Sequence, residues 1–265
     1  PKEIHEELSL TFLDEFGNMI VTYSNKVADD SSSEEEDDHL SVASNVGMNR
    51  FIWDMRYPPA NKVPGDKTTA DRVVSGPIGP PGKYTVVLKC SGTEKSKTFE
   101  IIKDPRVEAS QKELEDQFNL LLSIRDRLSE THDSINRIRS VCSQVDEWAQ
   151  RAIGHSSETL VTEAAKKIME KLSAIESELI QTEYQGARDR LNLPTRLNSK
   201  LSEITSVVSA GDFAPTRQSY EVFQAVSDEI EPHLLTLQNT IDEDVKDFDN
   251  LVQELGIPAV VVRPQ

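Results

Sequence analysis

Lys103-Asp104-Pro105-Arg106 is the stretch at which the hydrophobic pattern of this chain changes. Before it, apolar and polar residues alternate in short runs separated by Gly and Pro, as in β-strands joined by turns. After it, apolar residues recur every three or four positions as far as Gly256, as in long amphipathic helices. The pattern predicts a β module at 1–103, a junction at 104–108, a helical module at 109–256 and a tail at 257–265.

The front module contains five runs that are predicted to be strands: residues 8–13, 19–23, 49–55, 84–90 and 97–102. Gly17-Asn18 supplies the turn of a first hairpin, because both residues can take a positive φ, and a second hairpin closes around Ser91-Gly92. Several short strands with such turns are typical of a small β-sandwich. Trp53 is expected in its core, although an exposed ligand platform is the alternative.

An acidic loop is predicted at 27–46, with seven acids in the ten residues 29–38. The simplest interpretation is a solvated loop without regular structure. A Ca²⁺ site is an alternative, since hard cations bind clustered carboxylates, but the EF-hand spacing of ligands is missing. Ser31, Ser32 and Ser33 each precede an acid by three residues and could be phosphorylated.

The rear module is predicted to be an antiparallel bundle of three long helices, or four if Pro194 forms a corner. The first helix should run over 110–152, and the second should begin after Gly154 and break at Leu193-Pro194. A third should begin near Pro215 and end at Gly256, with a kink at Pro232. The fold class is therefore α+β with two domains.

Composition excludes several classes of function. A net charge of −17 argues against a general affinity for nucleic acid or for anionic membranes. No apolar run is long enough for a membrane span. The two cysteines, Cys90 and Cys142, form no disulfide framework, and Cys142 lies on the apolar stripe, where an inert thiol is expected.

No catalytic or cofactor-binding pattern is found in the sequence. The five histidines are scattered, and none has a partner at zinc-ligand spacing. A glycosidase needs two carboxyl groups that converge on a cleft, and a thin bundle offers none. We therefore assign no catalytic, cofactor or metal residues and expect this chain not to be an enzyme.

Several stretches carry a resemblance to a known family: Gly47-Met48-Asn49-Arg50-Phe51-Ile52-Trp53-Asp54-Met55-Arg56-Tyr57-Pro58, Gly76-Pro77 with Pro81-Gly82-Lys83-Tyr84, Lys103-Asp104-Pro105-Arg106, the irregular stretch from Arg188 to Asn198, the helix start from Ala214 to Phe223, and Leu255-Gly256-Ile257-Pro258-Ala259. The front stretches look like the Ig-like domain first described in flagellar hook assembly proteins. All of them together resemble the region that follows the β-propeller in sortilin-like proteins with bacterial-neuraminidase-type repeats, which are often labelled glycosyl hydrolases. The acidic loop is not part of that pattern.

The resemblance implies a secreted or periplasmic parent protein whose propeller precedes Pro1, which is not an initiator Met. This chain would be its non-catalytic C-terminal module, packing on the propeller and mediating self-association or partner binding. Any glycoside hydrolysis would then belong to the propeller. Eight residues are candidates for contacts between domains: Trp53, Arg56, Tyr57, Pro105, Arg106, Arg188, Arg190 and Arg196. The alternative is a cytoplasmic coiled-coil adaptor with a phosphorylatable acidic loop.

Overall fold

A computed structural model describes residues 7–26, 41–68, 70, 75–186 and 188–258. The chain divides into two compact units. The sheet unit comprises 1–59, 75–119 and 212–214, and the helical unit comprises 60–74, 120–211 and 215–265. The predicted combination of an antiparallel sheet with helices is confirmed.

Among the described residues of the sheet unit, four strands form one antiparallel sheet in the order β2-β1-β3-β4. The strands are β1 (Leu8–Leu13), β2 (Met19–Ser24), β3 (Gly82–Cys90) and β4 (Thr93–Ile101). Both predicted hairpins are present, β1–β2 and β3–β4. Ser91 and Gly92 have φ values of 49° and 73°, which gives the β3–β4 turn the left-handed geometry that matches the strand twist.

The strand predicted at 49–55 is wrong. Among the described residues of this segment and its flanks, one isolated bridge, Arg56 with Ile78, replaces a ladder. The segment is held by aromatic packing instead, since the ring of Trp53 stacks on Phe12 at 4.4 Å and the ring of Phe51 lies 6.1 Å from Phe12. Aromatic residues are common in strands because their side chains pack well on a sheet surface. The same packing is possible without backbone hydrogen bonds to a neighbouring strand, so these residues alone do not predict a strand.

The helices are α1 (Gln111–Arg151), α2 (Glu158–Leu179), α3 (Leu197–Val208), α4 (Arg217–Thr240) and α5 (Lys246–Glu254). α1 agrees with its predicted bounds to within one residue. The second helix ends earlier than predicted, and a single 3₁₀ turn, Asp189–Leu191, lies in the irregular stretch that follows it. The third predicted helix is divided into α4 and α5 by a π-helical turn, Ile241–Val245, which the sequence did not indicate.

The start of α1 shows how local chemistry sets a helix boundary. The carboxylate of Glu113 accepts hydrogen bonds from the backbone N–H of Ser110 at 2.7 Å and from its hydroxyl at 2.8 Å. The N–H of Glu113 in turn donates to the Ser110 hydroxyl oxygen, which completes a capping box. These bonds lower the pKa of Glu113.

Each unit has its own hydrophobic core. The core of the sheet unit is built on Phe12, Ile20 and Tyr84. The core of the helical unit contains residues of all five helices, and buried side chains of the connecting segments join it, among them Val63 and Ala70. We call residues 60–68 the strap. The sequence placed the strap in the front module, whereas in the structure it belongs to the helical unit.

Candidate functional site: a helical face that holds the strap

A row of polar side chains on α1 faces the strap. Its members share a spacing of three or four residues or are direct neighbours, so they lie on one side of the helix: Ser129, His132, Asp133, Asn136 and Arg139. The row runs beside the apolar stripe that α1 buries in the core. α1 therefore presents hydrogen-bonding groups next to an apolar surface.

Asn61 is bound at three points of this row. Its backbone N–H donates to the hydroxyl oxygen of Ser129 at 3.1 Å, and its backbone oxygen lies 2.5 Å from Nδ1 of His132. Its side-chain amide donates to both carboxylate oxygens of Asp133 at 2.9 Å. Since a carbonyl can only accept, His132 must carry its proton on Nδ1. His132 is 2% exposed, so this hydrogen bond is shielded from water.

The next residues of the strap are held through their main chain. Nδ2 of Asn136 donates to the oxygen of Lys62 at 2.9 Å, and Nη1 of Arg139 donates to the oxygen of Pro64 at 3.0 Å. Val63 stands between these two bonds and is 2% exposed, with its side chain in the core of the helical unit. The two hydrogen-bonded carbonyls on either side of the buried valine therefore fix the position and the orientation of the strap on α1.

The end of the strap is anchored on α3 by a buried polar cluster. The carboxylate of Asp66 accepts hydrogen bonds from the N–H of Thr68 at 2.8 Å and from its hydroxyl at 2.9 Å. Nδ2 of Asn198 lies 3.4 Å from Asp66 Oδ2 and 3.3 Å from Thr68 Oγ1. Asn198 is the second residue of α3, where the positive end of the helix dipole favours a nearby carboxylate. A buried carboxylate is thereby stabilised by neutral donors and a helix N-terminus.

This arrangement binds a segment of chain that contains a turn, in which the N–H of Asp66 donates to the oxygen of Val63 at 3.1 Å. The donors of α1 satisfy the strap's main-chain oxygens, one apolar side chain enters the core, and two polar side chains reach α3. Arg139 also links α1 to α2, because its Nε donates to the carboxylate of Glu176 at 2.7 Å. The face therefore consists of groups already tied into the helical unit, which is a pre-organised way to hold a peptide.

The candidates at 53–57 lie within the sheet unit. Trp53 packs in its aromatic core, as the interpretation of a core residue expected. Nη1 of Arg56 donates to the oxygen of Gly76 at 2.8 Å, and the N–H of Tyr57 donates to the oxygen of Pro77 at 2.9 Å. The structure thus brings Arg56 and Tyr57 together with the Gly-Pro segment. The role of all three residues between domains stays a prediction.

Pro105 and Arg106 form a turn stabilised by Asp104. The carboxylate of Asp104 accepts hydrogen bonds from the Arg106 guanidinium, the shortest at 2.6 Å, and from its backbone N–H at 2.9 Å. These bonds lower the pKa of Asp104 and raise that of Arg106. The turn is a local device at the junction, and both residues remain candidates for contacts between domains.

The 3₁₀ turn of the helical unit contains Arg190, and Arg188 and Arg196 lie before and after it in the chain. Arg188 and Arg190 are exposed, whereas Nη1 of Arg196 donates to the carboxylate of Glu178 at 3.0 Å. Between them, the carboxylate of Asp189 accepts from the N–H groups of Gln185 and Gly186, which lowers its pKa. The carboxylate of Asp189 thus satisfies main-chain N–H groups freed where the helical structure is interrupted.

Other pKa shifts also have structural causes. Burial raises the pKa of Tyr84, whose hydroxyl donates to the oxygen of Pro80 at 2.7 Å, and nearby Tyr57 adds to the shift. Burial raises the pKa of Tyr23 as well, helped by Asp54. Burial and then Glu176 raise the pKa of Cys142, in agreement with the expected inert thiol.

The pKa of Arg127 is raised although burial alone would lower it. Its hydrogen bonds to the carboxylates of Glu231 at 2.7 Å and Glu130 at 2.6 Å outweigh the loss of hydration. One of its nitrogens also donates to the oxygen of Ser227 at 2.9 Å. Arg127 therefore ties α1 to α4 inside the helical unit.

Within the described ranges, no group of three or more His, Cys, Asp or Glu side chains could hold a metal ion. The Ca²⁺ alternative at 29–38 and the phosphorylation alternative at Ser31–Ser33 lie outside the described residues. None of the described helices combines the length and the apolar character needed to cross a bilayer.

Sequence reasoning missed the strap and its binding face. One signal was available: Val63 is a lone apolar residue among Asn61, Lys62, Asp66 and Lys67, which suits a single anchor in an otherwise polar segment. Nothing in the sequence pairs that anchor with a helix more than sixty residues away.

Comparisons with protein-family profiles, with curated proteins and with solved structures found no match to this chain.

Proposed function

We propose that this chain is a non-catalytic structural and interaction module, the C-terminal region of a larger secreted sortilin-like propeller protein. In this proposal the sheet unit is Ig-like, with a sandwich architecture, and the helical unit is an antiparallel bundle of three to four helices. The module packs on the upstream propeller and mediates self-association or partner binding. The motifs from Gly47 to Pro58 and from Leu255 to Ala259 carry the resemblance behind it.

The observation that supports a binding role best is the use made of polar side chains in the helical unit. Four polar side chains of α1 form hydrogen bonds with the strap: Ser129, Asp133, Asn136 and Arg139. An active site instead gathers groups with shifted pKa values around one reacting position. The carboxylates with lowered pKa values, Glu113 among them, accept bonds from turns and helix starts.

Separate cores also support a modular role. The sheet unit packs around Phe12 and Tyr84, and the helical unit packs around the stripes of its helices. Two cores allow each unit to keep its shape when a partner contacts the other. A protein that acts by binding partners needs stable surfaces, and each unit has a core that can support one.

The test joins gene sequence with biochemistry. The reading frame upstream of Pro1 is expected to encode a β-propeller preceded by a signal peptide. The propeller and this chain are then produced separately and mixed, and complex formation is measured by analytical ultracentrifugation, with glycoside hydrolysis assayed for each part. An upstream region without a propeller, or glycoside cleavage by this chain alone, would refute the proposal.

A further inference from the structure

One turn of the helical unit is basic in a strongly acidic chain. From residue 184 to residue 196 the sequence has three arginines and one acid, Asp189, whereas the whole chain has a net charge of −17. Arg196 is paired with a carboxylate of α2. Arg188 and Arg190 are exposed, and among the described residues no carboxylate forms an ion pair with either of them. Their two positive charges are therefore accessible to a partner.

Hydrogen bonds order this turn, so its side chains are held in a fixed arrangement. The N–H of Leu191 donates to the oxygen of Arg188 at 3.0 Å, and the carboxylate of Asp189 accepts from two preceding N–H groups at 2.7 and 2.8 Å. Side chains three positions apart lie on the same side of a 3₁₀ turn, which places Leu191 beside Arg188. We call Arg188, Arg190 and Leu191 the arginine turn. A turn that is already ordered loses little conformational entropy when a partner binds.

Leu191 gives the arginine turn an apolar contact. It is 79% exposed and follows Arg190 directly in the chain. Removing such a side chain from water favours association. Guanidinium groups bind carboxylates through two parallel hydrogen bonds, and Arg is enriched in protein interfaces. The arginine turn therefore suits a partner that offers carboxylates and an apolar side chain together.

We propose that the arginine turn binds an acidic segment of a partner protein in which a large apolar side chain stands between carboxylates. The carboxylates pair with Arg188 and Arg190, and the apolar side chain covers Leu191. The proposal rests on the partner binding that the proposed function includes, and it names the surface and the chemistry of the partner.

Lys67 adds to the positive charge at this place. The pKa of Asp189 is lowered by the two N–H groups that donate to it and, in addition, by the charge of Lys67, so Lys67 lies close to the turn. Lys67 is itself exposed. At physiological ionic strength, exposed charges act on one another over about 8 Å. A short acidic segment at the arginine turn is therefore attracted by Lys67 and the two arginines, while more distant acids of the chain are screened.

A short protein segment fits these features better than a polyanion or a small ion. Nucleic acids and sulfated polysaccharides carry many charges in a row, and beyond the turn they meet the acids that give the chain its net charge of −17. A phosphate or sulfate ion can bind the arginines, but it leaves Leu191 in water. A protein segment supplies carboxylates and an apolar side chain within a few residues.

The experiment selects random peptides displayed on phage for binding to the full chain, with counter-selection on the variant Arg188→Glu/Arg190→Glu. The enriched sequences are expected to carry acids on both sides of Leu, Ile, Phe or Met. The affinity of the enriched peptides is then measured by fluorescence anisotropy. The charge reversal should weaken binding roughly tenfold or more, which is the loss typical of residues that anchor an interface. Leu191→Ser should weaken binding about fivefold, because the apolar contact is lost.

Two matched controls separate these residues from a general effect of charge or of an exposed leucine. Lys167→Glu/Lys246→Glu changes the net charge by the same amount at exposed positions on α2 and α5. Leu235→Ser removes a leucine on α4 that is 60% exposed. Both controls should leave the affinity within about twofold of the native value. Circular dichroism checks that each variant keeps the helices of the native chain.

Several results overturn the proposal: enriched peptides without acids, no enriched peptide at all, or the same loss of affinity in the two double variants. A peptide that is displaced by millimolar inorganic phosphate and binds Leu191→Ser as well as the native chain also overturns it, since the turn is then a general anion site. These results leave the proposed module standing, because its test is the reading frame upstream of Pro1. An upstream region without a propeller refutes that module and leaves the binding chemistry of the turn unaffected.

Discussion

Val63→Ala should destabilise the helical unit and leave the sheet unit unchanged, although residue 63 lies between strands in the sequence. The side chain is 2% exposed and belongs to the helical core. Removing two methyl groups costs about 1.6 kcal/mol at about 0.8 kcal/mol each. A residual cavity of roughly 40 Å³ adds about 1 kcal/mol at about 24 cal/mol per Å³.

The resulting loss of about 2.5 kcal/mol corresponds to a fall of about 1 M in the urea midpoint, for an m value of roughly 2 kcal/mol/M. The two tryptophans report on the units separately: Trp53 packs in the sheet core, and Trp148 packs against the helical core under Arg151. Variants with Trp53→Phe or Trp148→Phe leave one reporter each, so that urea unfolding can be followed by fluorescence for one unit at a time.

The expected result is a lower midpoint in the Trp148 signal and an unchanged one in the Trp53 signal. Val207→Ala is the matched control, because Val207 lies in the same unit and is 63% exposed. It should change stability by less than about 0.5 kcal/mol. A shift confined to the Trp53 signal, or a change for Val63→Ala no larger than for the control, would refute the assignment of the strap to the helical unit.

Three further predictions concern other parts of the chain. Gly76→Ala should lower the stability of the sheet unit by about 2 kcal/mol or more, since the added Cβ would lie 1.8 Å from the oxygen of Tyr57; Gly186→Ala, with no heavy atom within 4 Å, should be nearly neutral in the same urea titration. Because folding lowers the pKa of Glu113, its contribution is present above the ordinary carboxyl pKa of about 4.3 and is lost as pH falls through the lower folded-state value. The stability difference between the native chain and Glu113→Gln should therefore shrink from pH 6 to pH 3, and a constant difference would contradict the capping box. Cys142 should react more slowly than Cys90 with a thiol reagent at pH 7.5, because its raised pKa leaves less thiolate; equal rates in the Cys90→Ser and Cys142→Ser variants would count against this.

Regular elements with strong local signals were predictable. α1 followed from a long stripe with a spacing of three and four, which gave its bounds to within one residue. The hairpin at Ser91-Gly92 followed from turn chemistry. The helix and the hairpin both depend on interactions between residues that are close in the sequence, so both can be predicted from the sequence alone.

Elements that depend on distant partners were not predictable in the same way. The run at 49–55 alternates like a strand, yet its aromatic rings pack on Phe12 and its main chain forms no ladder. The π-helical turn after Thr240 also had no local signal. At 49–55 the packing of the aromatic rings, rather than the local alternation, decides the conformation.

The strap shows this division most clearly. The sequence by itself determined the two hairpins before Lys103-Asp104-Pro105-Arg106 and the long helix α1 after it, because periodicity and turn residues act over a few positions. Only the tertiary structure decided that Val63 belongs to the helical core and that Asn61 pairs with Asp133. Such contacts join residues about seventy positions apart, and their energy comes from burial and hydrogen bonds that exist only once both partners are folded.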